Sequence, residues 1–222
     1  MCGIVGLYLK KKTLYSKLGF FLSGMLDNMS SRGPDSAGFA IYNNKESKKY
    51  YKYSLCLDKN LISVFEQDVK KIFQDITIKY ISDHIVLQTS AVPKKFINYI
   101  QKNFNQISLV GYGRSIEIFK QVGNPKEIVK KFNLKNFSGS HAIGHTRMAT
   151  ESAITTDGSH PYSTGEDECL VHNGSLSNHN NLRRKLKKDG VNFDSENDTE
   201  VAAGYISNNL SNKKSLKETL KD

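Results

Sequence analysis

Tryptophan is absent from the 222 residues, proline occurs four times and cysteine three times. The cysteines, at positions 2, 56 and 169, form an odd and widely spaced set that matches neither a disulfide framework nor paired metal ligands. Cys56 and Cys169 therefore read as small buried hydrophobes. No apolar run approaches the ~18 residues of a membrane span, and no basic region precedes the first apolar stretch at residues 2–9. A soluble cytoplasmic protein is expected. Neither G-x-x-x-x-G-K nor G-x-G-x-x-G occurs, so nucleotide binding has no signature. Arginine is also scarce, five of 32 basic residues, and the lysines are dispersed in polar or helix-edge pairs such as Lys48-Lys49 and Lys187-Lys188. The net charge of +10 thus reads as a solvated surface and not as a nucleic-acid face.

The length suffices for one good core, or for one domain carrying a substantial insertion. Apolar spacing predicts strand, helix, strand over 2–9, 20–29 and 39–42, with a Gly/Pro break, Ser31-Arg32-Gly33-Pro34-Asp35-Ser36-Ala37-Gly38, before the last. A different pattern follows: a strand over 50–57, a helix over 61–73, extended chain over 76–92, a helix from Pro93 to 104, a hairpin over 107–122 and a short helix from Pro125 to 132. This alternation suggests a small α+β module at 43–139 set inside a larger domain made of 1–42 and 140–222. From His141 onward His, Asn, Gly, Thr and Arg are dense, which favours loops and site-building residues. Two helix starts stand out there, Asn197-Asp198-Thr199-Glu200 and Ser215-Leu216-Lys217-Glu218. The second has barely begun at Asp222, so the chain is expected to be a fragment.

Met1-Cys2-Gly3 puts a thiol behind an initiator methionine that is trimmed when its neighbour is small. Trimming leaves one residue with both a sulfur nucleophile and an α-amine, which titrates near pH 8 and can take the thiol proton. The same residues also suit the start of a strand. Further blocks join Cys2: Arg32-Gly33-Pro34-Asp35-Ser36-Ala37-Gly38, Gly144-His145-Thr146-Arg147-Met148-Ala149-Thr150, Val171-His172-Asn173-Gly174-Ser175-Leu176-Ser177-Asn178 and Glu196-Asn197-Asp198-Thr199-Glu200. Asn173-Gly174 alone could be a tight turn, and Asp198 alone an N-cap. The histidines at 145, 160, 172 and 179 lack a compact ligand pair with a third partner, so no metal is expected. His160 and His172 are expected to be hydrogen-bonded supports.

In this order the blocks resemble the class II glutamine amidotransferases, whose glutaminase domain is an N-terminal-nucleophile hydrolase. The likeness covers residues 1–42 and 140–222. It implies an α+β fold, a four-layer αββα sandwich, here incomplete at its C-terminus. It also implies hydrolysis of the L-glutamine side-chain amide through a γ-glutamyl thioester on Cys2, with the Asn173 amide and the Gly174 N–H as oxyanion donors. Arg147 would take the substrate carboxylate and Asp198 its ammonium. Thr150 is a further carboxylate donor, and Arg32 braces the loop around the nucleophile.

Blocks 147–153 and 172–183 look most like the stand-alone glutaminase subunits of glutamate-synthase-like and methylamine-glutamate N-methyltransferase systems. Where the aminosugar-forming branch carries Trp and His, this chain has Met148 and Glu151. The resemblance implies a synthase-like partner carrying FMN and an iron-sulfur cluster, with no cofactor in this chain. A glutaminase domain of the phosphoribosyl or aminosugar branch, or a non-catalytic glutamine-sensing protein, are the alternatives. An effector-sensing role for the inserted module is a third expectation.

Overall fold

The computed structural model describes residues 2–43, 49–149 and 153–221. It is α+β, built on two four-stranded antiparallel sheets and a two-stranded ribbon. Strands β1 (Gly3–Tyr8), β2 (Ser36–Tyr42), β7 (Ile116–Val122) and β8 (His141–Arg147) form the first sheet in the order β1-β8-β2-β7. Alternation along β1 turns Val5 into the core and leaves Ile4 and Tyr8 exposed, as a half-covered strand requires. Helix α1 (Leu18–Asn28) places Leu18, Leu22 and Leu26 on one stripe at i, i+4 spacing, and all three are fully buried. They pack with Val5, Phe39 and Phe119, and α4 (Pro125–Lys131) adds Ile128 and Val129 to the same core. Each such side chain contributes ~1.5–3 kcal/mol by leaving water.

The second sheet, in the order β4-β5-β3-β6, contains β3 (Tyr51–Cys56), β4 (Thr77–Ile81), β5 (His84–Thr89) and β6 (Ser108–Gly113). Helices α2 (Ile62–Ile72) and α3 (Pro93–Asn103) cover one face, with Phe65, Val69, Phe96 and Ile100 packed on Tyr53, Leu55, Ile85 and Leu87. The other face meets β7. There Ile118 N donates to Ser54 Oγ at 3.0 Å, and Lys52 pairs with Glu117 at 2.8 Å, both side chains buried.

The hairpin expected over 107–122 does not form, because its two strands enter different sheets: β6 pairs with β3, and β7 pairs with β2. The carboxylate of Asp167 turns the chain between them. It accepts from Arg114 N at 3.0 Å, Ser115 N at 2.8 Å and Ile116 N at 2.9 Å. Three backbone donors on one carboxylate satisfy the corner without a ladder. Residues 116–137 consequently join the first sheet and its core.

The ribbon of β9 (Tyr162–Gly165) and β10 (Glu168–Leu170) adjoins β6 through a bridge between Tyr112 and Glu166. Helix α6 (Asp198–Ser211) packs on the ribbon and on α5 (His179–Lys188), and α7 (Leu216–Thr219) follows. The region expected to be loop-rich thus contributes β8, an interior strand of the first sheet, and α5. Among the described residues no helix is long and apolar enough to cross a membrane.

Candidate active site

Strand pairing brings residue 2 together with the blocks that begin at Arg32 and Gly144. Gly3 lies opposite Thr146, which puts Cys2 and Arg147 at the same end of neighbouring strands. Ser36 faces Arg147 from the other side, Asp35 N donates to Arg147 O at 3.1 Å, and Ala149 N donates to the Asp35 carboxylate at 2.8 Å. Gly33 is required beneath them: a Cβ there would lie 2.4 Å from the Thr146 carbonyl carbon and oxygen. The break before β2 therefore acts as a clamp on the end of β8.

A cavity of about 480 Å³ opens at this end, and Cys2, Arg147, Asn173, Gly174 and Asp198 all line it. Cys2 is half-buried, with Sγ 3.8 Å from Met148 O. Asn173 Nδ2 donates to the Cys2 carbonyl at 3.2 Å, and Arg32 Nε donates to the same oxygen at 3.5 Å. Arg32 thus reaches the backbone of residue 2 from outside the cavity lining. Arg147 is buried, and its Nη1 donates to Ala153 O at 3.3 Å. Gly174 sits against His172, whose Nε2 would be 2.8 Å from a Cβ. Thr150, and Glu151 with it, lie outside the described residues, as does Met1.

Asp198 is the first residue of α6 and not its cap. Asn197 has the extended cap conformation, and its side chain accepts from Thr199 N at 2.9 Å. Asp198 instead accepts from Leu176 N at 2.7 Å and from Thr199 Oγ1 at 3.3 Å, tying α6 to the loop that carries Asn173 and Gly174. His172 joins the same cluster, with Nδ1 3.2 Å from Thr199 Oγ1.

His160, expected to be a hydrogen-bonded support, makes no such bond among the described residues: both of its ring nitrogens are buried and lack a partner there, and the ring stacks on His145 at 4.0 Å. Burial pushes His145 down to about 4, and burial together with the neighbouring His145 holds His160 well below its ordinary range. His145 is anchored through Nε2, 3.0 Å from His172 O. Roles for Asp35, Asn197, Thr199 and this histidine stack escaped the sequence reading. Asp35 lies within residues 32–38, and Asn197 and Thr199 flank Asp198, but only their contacts disclose what they hold. One His/Cys/Asp trio occurs among the described residues, Cys56, Asp83 and His84. It belongs to the second sheet, and Asp83 is already bonded to His84, Gln121 and Lys131.

A thiol, an amide donor, a guanidinium and a carboxylate around one cavity meet the needs of attack on a carbonyl compound that carries both charges. Comparison with known proteins agrees in kind. A family model described as "Glutamine amidotransferase domain" matches residues 134–209. The glutamine amidotransferase-like protein GlxB of Rhizobium meliloti (strain 1021) is 45% identical over 222 residues, 99% of this chain and 74% of that protein. A putative glutamine amidotransferase of Methanothermobacter thermautotrophicus is 34% identical over 234 residues, 99% of this chain and 76% of its own length. Glutamine--fructose-6-phosphate aminotransferase [isomerizing] of Aquifex aeolicus is 39% identical over 104 residues, 46% of this chain and 17% of that enzyme. With near-complete coverage by two amidotransferase relatives and a partial match to the glutamine-using aminotransferase, this chain belongs to the class II glutamine amidotransferases.

Proposed function

We propose that the chain hydrolyses the side-chain amide of glutamine with Cys2 as an N-terminal nucleophile and passes the nitrogen to a glutamate-synthase-like partner in the cytoplasm. The observation that carries this reading is the convergence of Cys2, Arg147, Asn173, Gly174 and Asp198, distant in sequence, on one cavity. With Met1 removed, the α-amine takes the Cys2 thiol proton as sulfur attacks the amide carbon. The Asn173 amide and the Gly174 N–H stabilise the oxyanion. Asn173 then exchanges its bond to the Cys2 carbonyl for one to the substrate oxygen. The C–N bond breaks as the ammonium returns its proton to the leaving nitrogen, which departs as ammonia. Water cleaves the thioester, releasing glutamate and the thiol. Arg147 holds the substrate carboxylate by its planar fork and Asp198 the substrate ammonium. Thr150 adds a donor to that carboxylate, and Arg32 steadies the backbone of residue 2.

The partner carries FMN and an iron-sulfur cluster, which supply the redox chemistry of the coupled reaction; this chain binds neither. In this reading residues 1–42 and 140–222 form the glutaminase domain, to which the intervening segment adds β7 and α4. Its four-layer order is α1 and α4, the first sheet, the β9–β10 ribbon, then α5 and α6. Exposed Ile4 and Tyr8, 44% and 69% accessible on the ribbon side of β1, favour a wider second layer.

Glutamate release from glutamine tests the assignment. Cys2→Ala should abolish it with an unchanged melting temperature. A glutamine analogue bearing a diazoketone in place of the amide should label the N-terminal peptide of active protein, with Met1 gone. Full turnover in Cys2→Ala, or labelling elsewhere, would refute it.

A further inference from the structure

A second cavity, of about 390 Å³, is built partly from the same short segment that lines the first. Residues 189–194 and the body of α6 from Glu200 onward form one wall, β6 of the second sheet another, and Lys120 of β7 projects into it. Residues 196–199 of that segment face the active-site cavity.

Lys120 is only 5% exposed. Its ammonium donates to Asp157 O at 3.1 Å and lies 4.5 Å from the centre of the Tyr162 ring. Among the described residues it makes no ion pair, so two of its three N–H groups have no acceptor. Burial pushes Lys120 down to about 8, although the carboxylates of Asp157, Glu200 and Asp194 favour its charge from beyond ion-pair distance. The cavity also holds carboxylates. That of Glu200 is occupied by Asp194 N at 2.7 Å, Ser195 N at 2.8 Å and Ser195 Oγ at 2.7 Å. Those of Asp157 and of Asp194, the latter at the exposed mouth, make no hydrogen bond among the described residues.

One deep cation and two available carboxylates select the ligand. A phosphate would satisfy Lys120 and be repelled by Asp157 and Asp194. A simple amine would suit the carboxylates and leave Lys120 as it is. A molecule bearing both a carboxylate and an ammonium answers each group, and the volume is at the small end of ligand cavities. We propose that this cavity binds a free α-amino acid, its carboxylate on Lys120 and its ammonium between Asp157 and Asp194, as an effector of the neighbouring active site.

The wiring between the two cavities is short. Glu200 grips the backbone of 194 and 195, while Arg183 donates to Ser195 O at 2.7 Å and to Asn197 O at 3.0 Å. Asp198 is the next residue. A ligand drawn to Asp194 therefore loads the stretch that sets the position of Asp198. The effector role rests on the glutaminase reading above; the binding does not.

Isothermal titration of the protein with each of the twenty amino acids, and with inorganic phosphate, tests it in four forms: wild type, Arg147→Ala, Lys120→Met and Ser207→Trp. Lys120→Met replaces the buried charge by a chain of similar shape. Ser207→Trp fills the cavity from α6 and leaves Lys120 in place, so a folding defect in the first variant does not decide the result. The expected outcome is saturable binding of at least one amino acid that survives Arg147→Ala and weakens about tenfold or more in both cavity variants, as loss of a charge-assisted contact implies. That amino acid should also shift the KM for glutamine in wild type and not in Ser207→Trp. No amino-acid binding, binding indifferent to both cavity variants, or binding of phosphate in its place overturns the site. Binding without any change in glutamine kinetics overturns the effector role. A protein that never turns over glutamine would defeat the proposed function instead, and the titrations would still decide the site.

Discussion

Asp198→Asn separates a substrate carboxylate from a structural one. Asn197 already caps α6, and Asp198 bonds Leu176 N at 2.7 Å. Asparagine keeps an oxygen for that donor, turns its NH2 to Thr199 Oγ1, which can accept in place of donating, and loses the charge. The structural cost is then limited to an acidic group in the first turn of a helix, worth ~0.3–1 kcal/mol. In a protein of this size that is a drop of only about 1–4 °C in Tm. A lost charge-assisted bond to the substrate ammonium is larger, ~1.5–3 kcal/mol. At ~1.4 kcal/mol per factor of ten this lowers kcat/KM by roughly 10- to 150-fold, carried mainly by KM because the contact exists before and during reaction. Asn197→Ala is the control. It removes the cap, ~1 kcal/mol, together with the 3.1 Å bond from Asn197 Nδ2 to the buried Gly158 carbonyl. Its larger loss should therefore be in Tm. Steady-state glutamate release and thermal melts on both variants decide the matter. If Asp198→Asn melts lower than Asn197→Ala while its KM stays within about threefold of wild type, the carboxylate is structural and the reasoning is wrong.

Asn173→Ala should lower kcat by ~10²–10³ with little change in KM, since an oxyanion donor acts in the transition state; a loss below about fivefold would remove Asn173 from that role. Acid should weaken the fold through the histidine stack. Folded His145 titrates near 4 and the unfolded side chain near 6.5, so the unfolded state binds the proton first and stability falls as pH drops through that window, by roughly 3 kcal/mol. Urea denaturation from pH 7 to 4 should show this slope, flattened in His145→Gln; equal slopes in the two proteins would contradict it. Gly33→Ala forces a Cβ to within 2.4 Å of the Thr146 backbone and should cost ~1–3 kcal/mol, read as a lower denaturation midpoint, with activity falling as the end of β8 shifts. An unchanged midpoint would mean that the loop yields freely.

The local elements were legible wherever a single period ran uninterrupted. Helical spacing marks a helix over 20–29, which the structure starts two residues earlier, at Leu18, and the Ser215/Glu218 capping box is present as read. The hairpin at 107–122 was misread because both of its strands have strand-like composition. Their partners are chosen by Asp167, some fifty residues away, which no local window contains. The strand β8 was hidden by its own site residues: His145, Thr146 and Arg147 look like loop chemistry, yet β1 and β2 supply the ladders on both sides that make them an interior strand.

The five site residues were named from ordered motifs, and that order is a property of the chain alone. Which of them face one another is a property of the folded state. Pairing of Gly3 with Thr146 brings residues 2 and 147 together, and the bond from Leu176 N to Asp198 docks α6 against the loop of Asn173. The cap assignment, the buried histidine stack and the buried charge of Lys120 were likewise decided only in three dimensions. The physical reason is common to all three: chemical type and local period are written residue by residue, whereas burial, desolvation and hydrogen-bond satisfaction depend on which distant segments exclude water from one another.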